Sequence, residues 1–131
     1  MIRKAKDVLK EREAIYQLIN AAAKEGKIMP RSRNEIKRVV DGFFIAIEDD
    51  KIVGCCALEI YSKKMAEVRS LAVHPAYQRK GWGVNLVKAC VQEAKKKRIY
   101  EVLAITDKDS FFEKMGFIKC LNGQFPLFFR P

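Results

Sequence analysis

The chain has 131 residues, 49% of them hydrophobic, and a formal charge of +10 from 26 basic and 16 acidic side chains. That length suits one domain with a substantial core and no covalent staples. No run approaches the ~18 apolar residues of a membrane span, and no apolar segment follows the basic start at Met1 to Asp7; a cytoplasmic protein with an acidic partner is expected, either nucleic acid or a phosphorylated small molecule.

Ile2 to Lys4 reads as a short strand. Asp7 is placed to cap a helix running to about Lys24, with Val8, Ile15, Leu18 and Ile19 on its apolar face and Gly26 as its stop. Ser32-x-x-Glu35 is a capping box that opens a second, short helix through Val40. Phe43 to Glu48 and Lys51 to about Tyr61 are strands joined at Asp49-Asp50, and Gly54 marks a bulge or a close approach. A turn at Ser62 to Lys64 leads to a central strand from Glu67, completing an antiparallel meander. On simple alternation, Val68, Ser70 and Ala72 face one way and Arg69, Leu71 and Val73 the other.

A helix is predicted over 81–98, with Val84, Val87, Val91 and Ala94 on one stripe and Leu86 and Cys90 beside it. A short buried strand, Glu101 to Ile105, then makes a right-handed crossover to a parallel neighbour. Ser110 to Met115 is a short helix ended by Gly116, and Phe117 to Leu121 and Leu127 to Phe129 are expected as the last strands, split by Asn122-Gly123. The fold class is α/β: a mixed sheet, antiparallel first and then locally parallel, with helices on both faces, in a single domain over 1–131. Cysteines stand at 55, 56, 90 and 120 without metal-ligand spacing, so buried free thiols and no metal are expected. The apolar tail from Phe125 to Phe129 is compatible with a covered edge or a homodimer contact.

The most informative stretch is Glu67 to Gly83, EVRSLAVHPAYQRKGWG. Pro75 stops the strand, and Gln78-Arg79-Lys80-Gly81-Trp82-Gly83 runs directly into the next helix. The first amides of a helix lack partners within it and sit at the positive end of its dipole, so such a loop is an anion site. Gly81 and Gly83 allow close backbone approach, and Arg79 and Lys80 add charge. The spacing matches neither the dinucleotide fingerprint nor the P-loop.

Gln78 to Gly83 resembles the Q/R-x-x-G-x-G/A signature of the GNAT N-acetyltransferases. Leu71 to Tyr77, L-A-V-H-P-A-Y, and Phe112 to Phe117, F-E-K-M-G-F, resemble that family in the same order. The resemblance implies that the Gln78–Gly83 loop holds the pyrophosphate of acetyl-CoA. It implies that the pantetheine arm pairs with Leu71, Ala72 and Val73 where a bulged central strand splays from its neighbour, and that Phe112 in the last helix packs on the coenzyme.

Acetyl transfer needs a neutral amine, a polarised thioester and a leaving thiolate. Glu67 is the expected base, as the family places an acid there, with Glu59 on the neighbouring strand as the other candidate. Many members carry a tyrosine acid at the position of Phe112, which has no proton to give. Cys56 and Tyr61 are the remaining donors, or the thiolate leaves unaided, as a thiol of pKa about 8.5 can. His74 occupies the turn-fixing H-P position.

The acceptor is a small-molecule amine. Pro30-Arg31-Ser32, the phenylalanine-rich strand at Phe43-Phe44 and Gly54-Cys55-Cys56-Ala57-Leu58 resemble the acetyltransferase domain of N-acetylglutamate synthase. That resemblance implies an amino-acid acceptor such as glutamate, as in arginine biosynthesis. A dicarboxylate needs fixed cations, and Arg31, Arg33 and Arg69 are the candidates. Three rivals remain: a protein N-acetyltransferase, a non-catalytic coenzyme A sensor, and a nucleic-acid-binding domain. The last rests on charge alone, since the Lys95–Arg98 cluster has no interleaved aromatics and no recognition motif accompanies it.

Overall fold

The computed structural model describes residues 1–131. Strand β1 (Ile2–Lys4) is followed by helices α1 (Leu9–Lys24) and α2 (Arg33–Val39), and then by β2 (Phe43–Glu48), β3 (Lys51–Ile60) and β4 (Met65–Val73). Helix α3 (Trp82–Lys96), β5 (Glu101–Leu103) and α4 (Asp109–Glu113) complete the regular elements. The five strands lie in sequence order in one sheet. The first three pairings are antiparallel, and β4 with β5 is parallel, as the crossover through α3 requires.

Adjacent side chains on the strands feed opposite layers. Phe43, Ile45, Cys55 and Ala57 pack with Ile15, Leu18 and Ile19 of α1 and Ile36 of α2. Ala46, Val53, Cys56 and Leu58 pack with Leu86, Val87, Cys90 and Ala94 of α3 and Phe112 of α4. The neighbours Cys55 and Cys56 are thus both buried, on opposite faces. Of the stripe expected on α3, Val84 and Val91 are only half-buried; the deeply buried residues are Leu86, Val87, Cys90 and Ala94.

Helix α2 starts as its sequence dictates: Ser32 Oγ accepts from Glu35 N at 3.1 Å, and Glu35 reaches back to Ser32 N. Helix α1 does not. Val8 occupies the cap position, with no side-chain cap, and is exposed rather than core-facing. Asp7 instead pairs with Arg12. Glu11 supplies the missing order: it is buried, accepts from Lys6 N at 2.7 Å and is gripped by both Nη atoms of Arg3 at 3.0 and 2.8 Å. An in-helix carboxylate tied to β1 therefore fixes the entry that a cap was expected to fix.

The expected last strands are absent. Asn122 and Gly123 do form the tight turn, with φ of 53° and 72°, but only one bridge, Leu121 with Gln124, follows from it. Ile118, Phe125, Leu127, Phe128 and Phe129 are all exposed. With no core face to bury, apolar content alone does not hold a strand, and Pro126 removes a further donor.

Gly42, just before β2, shows how tightly β3 is approached. A Cβ there would stand 2.6 Å from the carbonyl oxygen of Leu58. Gly42→Ala is therefore expected to cost about 1–3 kcal/mol through a forced backbone shift, seen as a lower urea midpoint with an unchanged m-value. Gly54 is a milder close approach, 3.0 Å from Leu86 Cδ1.

Candidate active site

The site arises from two irregularities in β4. On β3, Cys55 pairs with Ala72 but Ala57 pairs with Arg69, so Ser70 and Leu71 stand opposite Cys56 alone. This is a β-bulge, with Ser70 at φ 56°. One extra residue reverses the parity of everything beyond it. Ala66 and Val68 face α3 before the bulge, and Leu71 and Val73 do so after it, while Ala72 joins the α1 side. The expected grouping of Val68 with Ser70 and Ala72 is corrected accordingly. The second irregularity is that β5 pairs only with Met65, Ala66 and Glu67. Beyond Glu67, that edge of β4 has no neighbouring strand, and a cleft of about 1420 Å³ opens there.

The cleft is walled by the end of α1, the β4 edge, the start of α3, and Phe111 and Phe112. It contains Glu67, Arg69, Leu71, Ala72, Val73, Gln78, Arg79, Gly81, Trp82, Gly83 and Phe112 of the expected site residues. Gln78 folds back and donates from Nε2 to Val73 O at 2.9 Å, which closes the loop on the strand. Gly81 caps α3 at φ 85°, a conformation that a Cβ disfavours. His74 Nδ1 accepts from Ala76 N at 3.1 Å, a turn-fixing role. Lys80 points elsewhere: its Nζ lies 2.6 Å from Glu48 Oε2. Trp82 Nε1 donates to the other oxygen of Glu48 at 2.7 Å. One carboxylate on β2 thus ties both residues flanking Gly81, and Arg79 is the loop cation left without an ion pair.

At the vertex lies a charged cluster that the sequence did not group. Glu59 and Glu67 face each other directly across β3 and β4. Arg69 Nη1 donates to Glu59 Oε2 at 2.8 Å, and its Nε stands 3.9 Å from Glu67 Oε2. Arg31, 7% exposed, donates from Nη2 to Glu59 and from Nη1 to Ser70 Oγ at 3.1 Å. Tyr61 Oη donates to Glu67 Oε1 at 2.5 Å. Arg31 does not line the cleft; it lies beneath it and holds the bulge from behind. Arg33 is not part of the cluster. It stacks 3.9 Å from the centre of the Tyr16 ring and forks onto Glu13 at 3.0 and 2.8 Å, on the outer surface. The Ser32 cap separates the two arginines: Arg31 lies in the segment before α2 and Arg33 on its first turn, so they diverge.

Cys56 is no proton donor to this site. It faces the opposite layer, and its thiol is pushed well above the ordinary value by the neighbouring Cys90 and by burial. No group of three or more His, Cys, Asp or Glu side chains converges to hold a metal, and no helix is long and apolar enough to cross a membrane.

The cluster predicts acid lability. Burial pushes the Glu59 carboxyl up, but hydrogen bonds from Arg31 and Arg69 outweigh it and hold it below its ordinary 4.5. Glu11 is held below the same value, chiefly by its hydrogen bond from Arg3. A carboxyl depressed in the folded state contributes stability that is fully present above its unfolded value and lost as pH falls through the folded one. Urea midpoints should therefore be level from neutral pH to about 4.5 and fall below it, and Glu59→Gln should flatten that fall while lowering the neutral value.

The acetyltransferase (GNAT) family model matches residues 7–117. An uncharacterized N-acetyltransferase of Chlorobaculum tepidum is 33% identical over 118 residues, which is 90% of this chain and 76% of that protein. An amino-acid acetyltransferase of Photobacterium profundum is 32% identical over 115 residues; the match takes in 86% of this chain but only 26% of that longer protein. Among solved structures, Rv2747 of Mycobacterium tuberculosis, in complex with CoA and NLQ, superposes with a TM-score of 0.85 at 27% identity, over 92% of this chain and 73% of that one. N-acetylglutamate synthase of Neisseria gonorrhoeae, with coenzyme A and N-acetyl-glutamate, gives 0.83 at 26% identity, over 96% of this chain and 30% of that one. Fold, split sheet and glycine loop are those of an acyl-transferring enzyme, and the chain belongs to the acetyltransferase (GNAT) family of N-acetyltransferases.

Proposed function

We propose that the protein moves the acetyl group of acetyl-CoA onto the amine of a small amino acid, with glutamate the first acceptor to test. The reading rests on Glu67. It sits where β4 and β5 part, with Oε1 taken by Tyr61 and Oε2 without a hydrogen-bond partner, on a cleft that runs to the start of α3. The residues present fit the coenzyme. Gly81 turns the loop, the first amides of α3 and the unpaired Arg79 suit a pyrophosphate, and the unpaired edge at Leu71, Ala72 and Val73 suits an amide-bearing arm. Phe111 and Phe112 supply the apolar wall. Acetyl-CoA, when bound, supplies the thioester.

Glu67 accepts the proton of the incoming ammonium, directly or through water, so that a neutral amine attacks. Arg69 has Nη2 free of intramolecular hydrogen bonds and lies beside the vertex, where it can take an acceptor carboxylate. Arg31 keeps Ser70 and Glu59 in place behind it. Neither Phe112 nor Tyr61 serves as the acid: Phe112 has no proton, and the Tyr61 proton is committed to Glu67. A thiolate can leave unaided into the open cleft and take its proton from water.

The amino-acid reading draws support from the relatives named as amino-acid acetyltransferases and from the synthase crystallised with N-acetyl-glutamate. The test is thiol release from acetyl-CoA, followed with a chromogenic disulfide against an amino-acid panel. Cys120 is the one cysteine not fully buried, so the protein's own background is small. Release driven by glutamate supports the full reading. Release with another amine alone keeps the acetyltransferase and discards glutamate. Coenzyme binding by calorimetry with no release from any amine would favour a sensor.

A further inference from the structure

The proton on Tyr61 has no use in the scheme above, yet its position is specific. Its backbone N–H is fixed to Met65 O at 3.0 Å, just past the end of β3. Its hydroxyl reaches over the β3–β4 pair to Glu67 Oε1 at 2.5 Å and stands 3.5 Å from Glu59 Oε2. It does not line the cleft. Glu67 is 8% exposed and faces a second carboxylate across the pair, so its side chain needs a donor to hold it in one orientation. Arg31 and Arg69 are spent chiefly on Glu59, with only a 3.9 Å contact from Arg69 to Glu67. β5 sets uncharged Leu103 beside Glu67. The remaining charges of the cleft, Glu25 with Lys27, Asp107, Lys108 and Arg79, come from the end of α1, the loop before α4 and the loop before α3.

We propose that Tyr61 is the positioning residue that holds the Glu67 side chain in place and aims its free oxygen into the cleft. The inference rests on Glu67 being the base. The hydroxyl gives its short, charge-assisted hydrogen bond to Glu67 Oε1 and only a long 3.5 Å contact to Glu59 Oε2. By occupying Oε1, it fixes the side-chain rotamer and leaves Oε2 as the single oxygen open to an amine. Desolvation of its hydroxyl, and after it this hydrogen bond, raise Tyr61 to about 12, which keeps the donor protonated throughout the working range.

The test is Tyr61→Phe beside Glu67→Gln and wild type. Tyr61 is 56% exposed, so the substitution removes one oxygen and leaves the packing intact. With acetyl-CoA and L-glutamate as probes, kcat should fall roughly threefold to tenfold in Tyr61→Phe, the worth of one hydrogen bond, while the KM for acetyl-CoA stays within about twofold of wild type. An unchanged kcat overturns the proposal while leaving Glu67 as base if Glu67→Gln is inactive. A lowered kcat with full turnover in Glu67→Gln overturns it through the failure of the base assignment instead.

Discussion

Glu67→Gln should lower kcat by roughly 10²–10⁴-fold, the usual worth of a positioned general base, with little change in the KM for acetyl-CoA. The amide keeps the shape of the carboxylate and can still accept from Tyr61 Oη, but it cannot take a proton. The residual rate should climb steadily with pH, because bulk water then supplies the neutral amine that Glu67 supplies in the wild type. A variant within threefold of wild type at neutral pH would remove Glu67 from the mechanism. Glu59→Gln is the informative partner. Glu59 is enclosed by Arg31 and Arg69, so its loss should show in stability and acceptor KM more than in the pH profile.

Arg31→Ala should cost about 3 kcal/mol of stability, the lower end for breaking a buried pair by removing one partner. Arg31 is 7% exposed and joins two elements that are distant in sequence, reaching Glu59 on β3 and Ser70 on β4. Its removal leaves Glu59 with Arg69 as its remaining cation, which is why the lower end of the range applies. It also releases Ser70, a non-glycine residue at positive φ whose left-handed conformation costs about 1–2 kcal/mol and needs outside support. Arg31→Lys should recover little, since a single ammonium cannot fork between a hydroxyl and a carboxylate. Urea midpoints at neutral pH check this, and acceptor KM should rise in step because the bulge forms the floor beside Arg69. Arg33→Ala, by contrast, should change neither much, since its partners Glu13 and Tyr16 lie on the surface.

The contrast between these two arginines marks the boundary of what the chain discloses locally. The tripeptide Pro30-Arg31-Ser32 and Arg33 look equivalent in sequence, and both arginines were expected at the acceptor. Which one turns inward depends on the start of α2: Ser32 caps the helix, so Arg31 lies in the segment before it and Arg33 on its first turn. Glu48 has a role that is not legible in the sequence for a different reason. It stands 32 residues from Lys80 and 34 from Trp82, and no periodicity connects residues so far apart.

What the sequence determined by itself is most of what depends on near neighbours, the cap of α1 excepted. Hydrophobic period placed the helices and the meander, Ser32-x-x-Glu35 set the start of α2, the crossover length made β5 parallel, and Gln78 to Gly83 delivered a glycine-turned helix start. What only the tertiary structure decided is how distant strands register. The bulge at Ser70 reverses the parity of β4, so the side chains beyond it exchange faces. The same registration sets Glu67 opposite Glu59 and brings Arg31, Arg69 and Tyr61 around the two carboxylates. Strand alternation has a period of two with no memory of the partner strand, so one unpaired residue, stabilised by an arginine 39 positions away, is enough to reverse it. The tail failed for the complementary reason: its residues are apolar enough for a strand, but no core surface was present to bury them.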